Sequence, residues 1–455
     1  MTDDPGGAPT PYIPNTGADQ AIMLERLGLE RVEQLFDQLP AQYRDPEIEL
    51  PRRLSEAELV GAMRRRAAAN RDGDRPSFLG AGAYRRFVPA VVQHLVSRSE
   101  FVTSYTPYQP EISQGTLQAA FEYQSVVCEL TGMDVSNTGM YDAASATAEA
   151  CLLAARVTKR QAVAVLEPLH PHTLEVIRAY GAGSDLRVDV VTSAAELSEE
   201  HACLVAQQPD FLGRIRDVEP LARAAHDAGA LCVVAADPFA LGVLRAPGDA
   251  GADIVTGEGR DLAGPLNFGG PSLGLFAARN HFLRQMPGRI VGRTKELHGA
   301  DGREPRTGYV LTLQAREQFI RRSRATSNFS TGQALVALAF TIAVQALGPV
   351  GLRCSAELCY QRAHHAAARI DALPGFTVRD TGPWFQEFLV AGPLPPEELS
   401  LRLAERGIQA GLDVSGRPEP ETDGALLFCV TEATPDEHID ALVQALSDIS
   451  EGRHA

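Results

Sequence analysis

The chain has 455 residues, of which 44% are hydrophobic and 22% are charged, and this composition fits a globular protein of roughly two or three domains. The formal net charge is −16 and no basic stripe stands out, so nucleic acid and anionic membranes are poor partners. No apolar run reaches the roughly 20 residues that cross a bilayer, and the longest one, 334–347, predicts a buried helix.

Residues 1–75 predict an N-terminal helical arm. Thr16 is a candidate cap for a first helix, and the apolar spacing after Val32 predicts a second helix that stops at Pro40. Ser55 and Glu58 have the spacing of a capping box for a third. Arms of this kind wrap a partner subunit or the main domain.

Residues 76–331 predict a large α/β domain. Short apolar, β-branched runs at 161–166, 186–191, 202–206 and 231–235 predict strands, with helices between them at 171–180 and 218–228. This alternation is typical of a largely parallel sheet with helices on both faces. Polar residues follow the runs, so we expect a site beyond the carboxyl ends of the strands.

Residues 332–455 predict a smaller C-terminal α+β domain. A helical stretch runs to about residue 373, with a glycine-proline break at 348–351. Strands are expected at 376–379, 387–390 and 426–430, and helices at 396–405 and 435–449.

Cysteine and histidine give no sign of a metal centre. The seven cysteines are scattered without a C-x-x-C motif, which is typical of reduced thiols in a cytosolic protein. The proline-rich N-terminus has no apolar signal region, so we expect a cytoplasmic location. Neither His170 and His172 nor His364 and His365 have chelating spacing, so no metal is expected.

Several long motifs follow one another along almost the whole chain. They include FLGAGAYRRFVPAVVQHLVSRSEF from Phe78, YTPYQPEISQGTLQAAFEYQ from Tyr105, ELTGMDVSNTGMYD from Glu129 and GADIVTGEGRDLAGPLNFGGPSLGLFA from Gly251. In this order they resemble the α-type, or N-terminal-half, subunits of glycine decarboxylase, the P-protein of the glycine cleavage system. The resemblance implies the fold of type I pyridoxal-phosphate (PLP) transferases, with a mostly parallel, seven-stranded type of sheet in the large domain.

A PLP enzyme of this fold needs three groups, and the sequence offers candidates for two. A helix start that holds the phosphate is expected at 138–147, which includes Tyr141 and Ser145. Asp237, after the run LCVVAA, has the place of the carboxylate that keeps the pyridine nitrogen protonated.

The third group, the lysine of the internal Schiff base, is missing from its expected place. After the segment GADIV, where β-type subunits of this family carry a His-Lys pair, this chain has Arg260 and Asp261. An aspartate forms no imine. The chain's two lysines are Lys159, at a helix end, and Lys295, in a polar segment, and neither follows a strand at the expected place. The pocket that contains Asp237, Asp261, Tyr141 and Ser145 is therefore expected to be vestigial.

The resemblance implies a shared enzyme. The α-type subunit pairs with a β-type subunit in an α₂β₂ assembly, PLP is bound through the lysine of that β-type partner, and the aminomethyl group of glycine passes to a lipoyl carrier protein of the H type. For this chain it implies a subunit that is inactive alone and contributes no catalytic residue of its own.

Two groups of residues are candidates for the shared site or interface. In fold-type-I dimers the proline-rich loop before the first large-domain helix often reaches the neighbour's site, although Ser113 could equally cap that helix. Ser327 and Asn328 lie before the small-domain helix, where they could also cap locally. The candidates are Tyr105, Tyr108, Gln109, Glu111, Ser113, Gln114, Ser327 and Asn328.

Three other interpretations stay open. Phe319, the segment 322–333 (RSRATSNFSTGQ) and Ala143 depart from the family pattern, which could indicate a paralogous PLP decarboxylase for another amino acid. Lys295 could make the chain an independent PLP enzyme. The chain could also be a non-catalytic scaffold.

Overall fold

The computed structural model describes residues 14–44, 46–70, 75–297, 303–313, 318–379 and 382–453, except for the side chains of 323 and 324. By its internal contacts the chain divides into two compact units, Met1–Asp72 and Gly73–Ala455. The domain boundaries predicted at residues 75 and 331 stay predictions.

The described residues of the first unit form two α-helices, α1 (Gly17–Leu27) and α2 (Glu56–Ala67), and neither contains a buried residue. Both predicted caps are confirmed. Thr16 Oγ1 accepts a hydrogen bond from Asp19 N at 3.2 Å, and Glu58 Oε2 accepts one from Ser55 N at 2.8 Å. The helix predicted to run from Val32 to Pro40 is wrong in length, because only the 3₁₀ turns Val32–Phe36 and Ala41–Tyr43 form there. Apolar residues three positions apart lie on the same side of a 3₁₀ turn, which has three residues per turn.

In the second unit, the helices and strands alternate as the sequence predicts. Its α-helices are α3 (Ala90–Val96), α4 (Ser99–Val102), α5 (Gln114–Thr131), α6 (Ala143–Thr158), α7 (Pro171–Ala182), α8 (Val218–Asp227), α9 (Arg260–Ala263), α10 (Ala334–Asp371), α11 (Pro396–Glu405) and α12 (Asp436–Ser450). Its strands are β1 (Val135–Ser136), β2 (Ala162–Leu166), β3 (Arg187–Val191), β4 (His201–Gln208), β5 (Leu231–Ala236), β6 (Ile254–Glu258), β7 (Gly274–Ala278), β8 (Ile290–Lys295), β9 (Thr307–Thr312), β10 (Thr377–Arg379), β11 (Glu387–Ala391), β12 (Leu412–Asp413) and β13 (Ala425–Cys429).

The large sheet has seven strands in the order β1-β7-β6-β5-β4-β2-β3. Strands β2 to β6 are parallel, whereas β7 pairs antiparallel with both β6 and β1. Alternate residues enter two different cores: Leu204 and Val234 pack on one face, and Val205 and Val233 on the other. Because both faces are covered, the strands are apolar at almost every position. The predicted mostly parallel sheet is confirmed.

Two smaller sheets complete the unit. Strands β10, β11, β13 and β12 form an antiparallel sheet in that order, and β8 pairs antiparallel with β9. The C-terminal strands and helices form at the predicted places, and they enclose a separate apolar core that includes Phe78, Phe388 and Phe428.

Among the described residues, helix α10 is the one helix that is long and apolar enough to cross a membrane, by length and composition alone. The predicted break is present, because Gly348 adopts a left-handed backbone (φ 63°) and Pro349 follows. Before this break, Ala337, Phe340 and Val344 are buried in the core of the large sheet. This packing accounts for the apolar composition of the segment and confirms the predicted buried helix.

Candidate functional site

A cavity of about 110 Å³ lies beyond the carboxyl ends of β4, β5 and β6, at the edge where the sequence predicts a site. Residues from these strand ends, from the start of α6 and from β11 meet around it. Its walls are formed by Gly82, Tyr84, Ala143, Thr147, His170, Thr173, Gln207, Pro209, Asp210, Gly213, Ala235, Ala236, Asp237, Gly257, Glu258, Asp261, Phe385, Gln386 and Glu387.

The N-terminus of α6, the predicted phosphate cradle, is capped by the chain's own carboxylates. Asp142 Oδ1 accepts a hydrogen bond from Ser145 N at 2.7 Å, and Glu258 Oε2 accepts one from Ala143 N at 3.3 Å. The other Glu258 oxygen accepts from the backbone N–H groups of Leu273 and Arg260. A carboxylate satisfies the free N–H groups of a helix start as a phosphate would. Glu258 therefore fills the place where a phosphate is expected.

Asp237 lines the cavity as predicted, and a guanidinium already neutralises it. Arg86 Nη2 lies 3.3 Å from Asp237 Oδ2, Arg86 Nη1 lies 3.0 Å from Glu432 Oε2, and the Arg86 side chain is 1% exposed. The guanidinium carbon also lies 3.6 Å from the ring centre of Phe239. Burial alone would lower the pKa of Arg86, but Asp237 and Glu432 raise it overall. Arg86 thus supplies the positive charge that a protonated pyridine would bring to Asp237.

Asp261 also lines the cavity, where a cofactor lysine would be expected. Its oxygens accept hydrogen bonds from Tyr84 N and from Arg260 Nε, both at 3.0 Å. Burial raises the pKa of Asp261. Neither Lys159 nor Lys295 lines the cavity: Lys159 is exposed at the far end of α6, and Lys295 is exposed at the end of β8.

Glu387, which the sequence did not single out, completes the cluster. Its two oxygens accept hydrogen bonds from Ala81 N at 2.6 Å and from the Tyr84 hydroxyl at 2.8 Å. Burial raises the pKa of Glu387 to about 7, and it raises the pKa of Glu258 to the same value. A glutamate at the start of the apolar run EFLV was the available signal, since a charge in a buried strand needs partners.

The residues around this cavity do not fit PLP. Among the described residues that line it, five are carboxylic acids, Asp210, Asp237, Glu258, Asp261 and Glu387, and none is a lysine or an arginine. Such a lining repels a phosphate. A cavity of about 110 Å³ is also smaller than the roughly 300–1,000 Å³ of typical ligand pockets. Side chains of the chain itself occupy the positions of the phosphate and the pyridinium charge.

Two of the four residues predicted for the vestigial pocket lie outside its walls. Tyr141 packs on Phe329, with ring centres 4.6 Å apart, and its hydroxyl accepts a hydrogen bond from Ser330 N. Ser145 is buried in the first turn of α6, where its hydroxyl donates to Asp142 O. Both lie within the predicted segment 138–147, but neither lines the cavity.

The proline-rich loop carries most of the predicted partner residues, and it is well exposed. Tyr105 is 79% exposed, and Gln109 and Glu111 are also exposed. Arg289 Nη2 donates to the Tyr108 hydroxyl at 2.8 Å. Exposed polar and aromatic groups in one segment leave it accessible to another chain.

Gln114 fastens the end of this loop to β9. Its side chain donates to Tyr309 O and accepts from Tyr309 N, both at 2.9 Å. Ser113 is the N-cap residue of α5, as the alternative interpretation expects, but its hydroxyl makes no capping hydrogen bond to the helix.

Ser327 and Asn328 have different environments. Ser327 is buried, and its hydroxyl donates to Glu149 Oε1 at 2.8 Å and accepts from Phe329 N at 3.0 Å. Asn328 is exposed. The side chain of Ser327 is thus engaged within its own chain, and Asn328 alone of the two faces outward.

The cysteines and histidines have structural contacts. All seven cysteines are free thiols. His170 Nε2 lies 3.0 Å from Ala81 O in the cavity wall, and the ring of His364 stacks on Trp384 with centres 3.6 Å apart. The described residues contain no group of three or more His, Cys, Asp and Glu side chains that could hold a metal ion.

Comparison with known proteins identifies close relatives. A family model described as glycine cleavage system P-protein matches residues 10–446. The probable glycine dehydrogenase (decarboxylating) subunit 1 of Thermomicrobium roseum is 46% identical over 96% of this chain and 99% of its own length. The subunit 1 of Moorella thermoacetica is also 46% identical, with the same coverage.

Solved structures agree with these sequence matches. A crystal structure of glycine decarboxylase (P-protein) in inhibitor-bound form superposes with a TM-score of 0.87 at 42% identity, and the match covers 97% of this chain and 100% of that one. The sphingosine-1-phosphate lyase of Burkholderia pseudomallei, at 16% identity and a TM-score of 0.62, covers 90% of this chain and 94% of its own and shares the fold alone.

Proposed function

This chain belongs to the glycine cleavage system P-protein family as a subunit 1 of glycine dehydrogenase (decarboxylating), a PLP-dependent enzyme, and we propose that it is the subunit that holds no cofactor. The observation that carries the proposal is the filled pocket. Asp261 replaces the lysine, Glu258 caps the phosphate cradle and Arg86 neutralises Asp237.

The second subunit supplies the PLP and its lysine. The name subunit 1 of the relatives supports a partner chain, and the exposed loop from Tyr105 to Gln114 is the surface that we assign to it. We propose an α₂β₂ assembly in the cytoplasm. There the chain completes the shared site by positioning the loop, while glycine decarboxylation and aminomethyl transfer to a lipoyl carrier of the H type take place at the partner's cofactor.

The position of Lys295 argues against the hypothesis that this chain is an independent PLP enzyme. Lys295 ends β8 as an exposed residue paired with Thr307, and it is absent from the cavity walls. A paralogous enzyme for another amino acid remains the second candidate, because Phe319 and the segment 322–333 depart from the family pattern. Turnover assays of the assembled complex with glycine and with other amino acids distinguish these candidates.

The proposal is tested by measuring PLP in the separate and assembled subunits. The purified chain mixed with PLP should show no imine absorbance, whereas the co-purified complex should show it and release PLP equal to its content of β-type subunit. An absorbance band in the isolated chain that Lys295→Ala abolishes, but Lys159→Ala leaves intact, would refute the proposal.

A further inference from the structure

A second and larger cleft lies between α6, α7 and the segment 322–329. Its volume is about 540 Å³, which is within the roughly 300–1,000 Å³ of typical small-molecule sites. No residue of its walls belongs to the cavity around Asp237. Its polar walls include Glu149, Arg156, Tyr180, Arg322 and Asn328. The cleft is therefore separate from the filled cofactor pocket.

Glu149 is a buried carboxylate that is only half satisfied. It lies in the middle of α6 and is 3% exposed. Its Oε1 accepts the hydrogen bond from Ser327, but its Oε2 has no hydrogen-bond partner among the residues that the structure describes. Burial raises the pKa of Glu149. Buried polar atoms are almost always paired in native proteins, so an unpaired carboxylate oxygen in the wall of a cleft calls for a ligand.

Arg156 places a positive charge in the same cleft. It lies seven residues after Glu149 on α6, about two helical turns away. Its Nη2 donates to Gln285 O at 3.2 Å, while its Nε is buried without a partner. Among the ion pairs of the described residues, none joins Arg156 to Glu149. The two charges act on each other only at a distance: burial raises the pKa of Glu149 and lowers that of Arg156, and each group partly offsets the shift of the other. A ligand with both charges can contact each of them directly.

We propose that this cleft binds a small α-amino acid, whose ammonium group contacts Glu149 and whose carboxylate contacts Arg156. The arrangement of charges selects this class. A simple anion would meet the Glu149 carboxylate, and a simple cation would meet Arg156 and the exposed Arg322 at the rim. A zwitterion satisfies both, and charge-assisted hydrogen bonds of this kind are the strong ones.

The site is tested on the purified full-length chain by isothermal titration calorimetry. Glycine, L-serine and L-leucine are the zwitterionic probes, and methylamine and acetate carry only one of the two charges. At least one amino acid should bind saturably, and more tightly than both single-charge probes.

Two pairs of variants assign the binding to the cleft. Glu149→Gln keeps an oxygen for the Ser327 hydrogen bond but removes the charge, and Arg156→Met removes the guanidinium. Each should weaken amino-acid binding by about tenfold or more, the loss expected for one charged contact. Glu175→Gln and Arg178→Gln, exposed charges on α7, should leave it unchanged. Circular dichroism confirms that each variant is folded.

The inference is overturned if no amino acid binds with a Kd below about 10 mM, or if methylamine binds as tightly as the amino acids. Unchanged binding in Glu149→Gln would also overturn it. Since the titration uses the isolated chain without PLP or a partner, its result is independent of the proposed function.

Discussion

At the scale of single residues, Arg86 is the centre of the hydrogen-bond network that neutralises Asp237. It connects Asp237, Glu432 and Gln386 with hydrogen bonds of 3.3, 3.0 and 2.7 Å. Removal of a buried charge leaves its partners buried and unpaired, which costs far more than the loss of an exposed ion pair.

We therefore expect Arg86→Met to lower the free energy of unfolding by about 3–5 kcal/mol. Arg187 is a matched control, because it also bridges two carboxylates, Asp189 and Glu200, but is 56% exposed. Arg187→Met should cost much less, because water screens exposed ion pairs. Urea denaturation of both variants gives the comparison, and equal losses would show that the Arg86 network adds nothing by its burial.

The pKa of Glu387 predicts a pH dependence of stability. Since burial raises this pKa from its ordinary 4.5 to about 7, the folded state binds more protons than the unfolded state between these values. Stability therefore falls as the pH rises through this range. Glu387→Gln keeps an acceptor for Ala81 N and a group that can pair with the Tyr84 hydroxyl, but it cannot ionise.

The natural chain should lose stability as the pH rises from 5 to 8, whereas Glu387→Gln should not. The difference in the free energy of unfolding between the two chains should therefore change by about 2–3 kcal/mol over this range, in favour of the variant. Urea denaturation at both pH values measures the change. Glu129→Gln, an exposed substitution on α5, should show no such gain. A Glu387→Gln curve parallel to that of the natural chain would contradict the raised pKa.

At the scale of elements, the loop before α5 is the surface that we assign to the partner subunit. Gln114 holds its end against β9 through two hydrogen bonds to the backbone of Tyr309. A loop that is held in its binding conformation loses less entropy on association than a free one.

Gln114→Ala should therefore weaken binding of the β-type subunit, by about tenfold, while the chain itself stays folded. Surface plasmon resonance with the immobilised β-type subunit measures the affinity. Gln118→Ala, one turn further along α5, is the control, because the Gln118 amide donates its hydrogen bond to Glu122 on the same helix. If both variants bind alike, the loop makes no contribution through its position.

At the scale of the whole molecule, the unit Met1–Asp72 has more apolar surface than it covers by itself. Ile22, Leu27, Ile48 and Leu50 are each at least 60% exposed, and α1 and α2 contain no buried residue. Exposed apolar side chains in such numbers mark surfaces that another protein covers.

Deletion of residues 1–72 should therefore abolish co-purification with the β-type subunit, whereas the unit Gly73–Ala455 should keep its thermal unfolding midpoint. Size-exclusion chromatography and calorimetry give the two measurements. A control deletion of residues 1–13 removes the segment before α1 and should leave assembly intact. Full assembly of the shorter chain would assign the interface to the second unit alone.

The sequence by itself determined strands β2 to β5 of the large sheet, strands β10, β11 and β13 of the C-terminal sheet, the caps of α1 and α2, the break in α10 and the absence of a lysine after β6. Strands β1, β6, β7, β8, β9 and β12 were not predicted. The predicted features depend on local properties, namely β-branched apolar runs, side chains that bond to nearby backbone, and the identity of one residue. Asp237 was found in the same way, because it directly follows β5 at the carboxyl edge of the parallel sheet. Asp261 was identified instead by the family resemblance, and it lies in the short helix α9 after β6.

Only the tertiary structure decided what fills the pocket. Arg86 and Glu432 are 346 residues apart in the chain, as far apart as any hydrogen-bonded pair at the site, and no local pattern brings them together. Likewise, Glu149 meets Ser327 across 178 residues. Tyr141 pairs with Ser330, and Ser145 pairs with Asp142 instead of lining the cavity. Contacts between distant segments depend on how the helices and strands pack, and packing is a property of the whole fold.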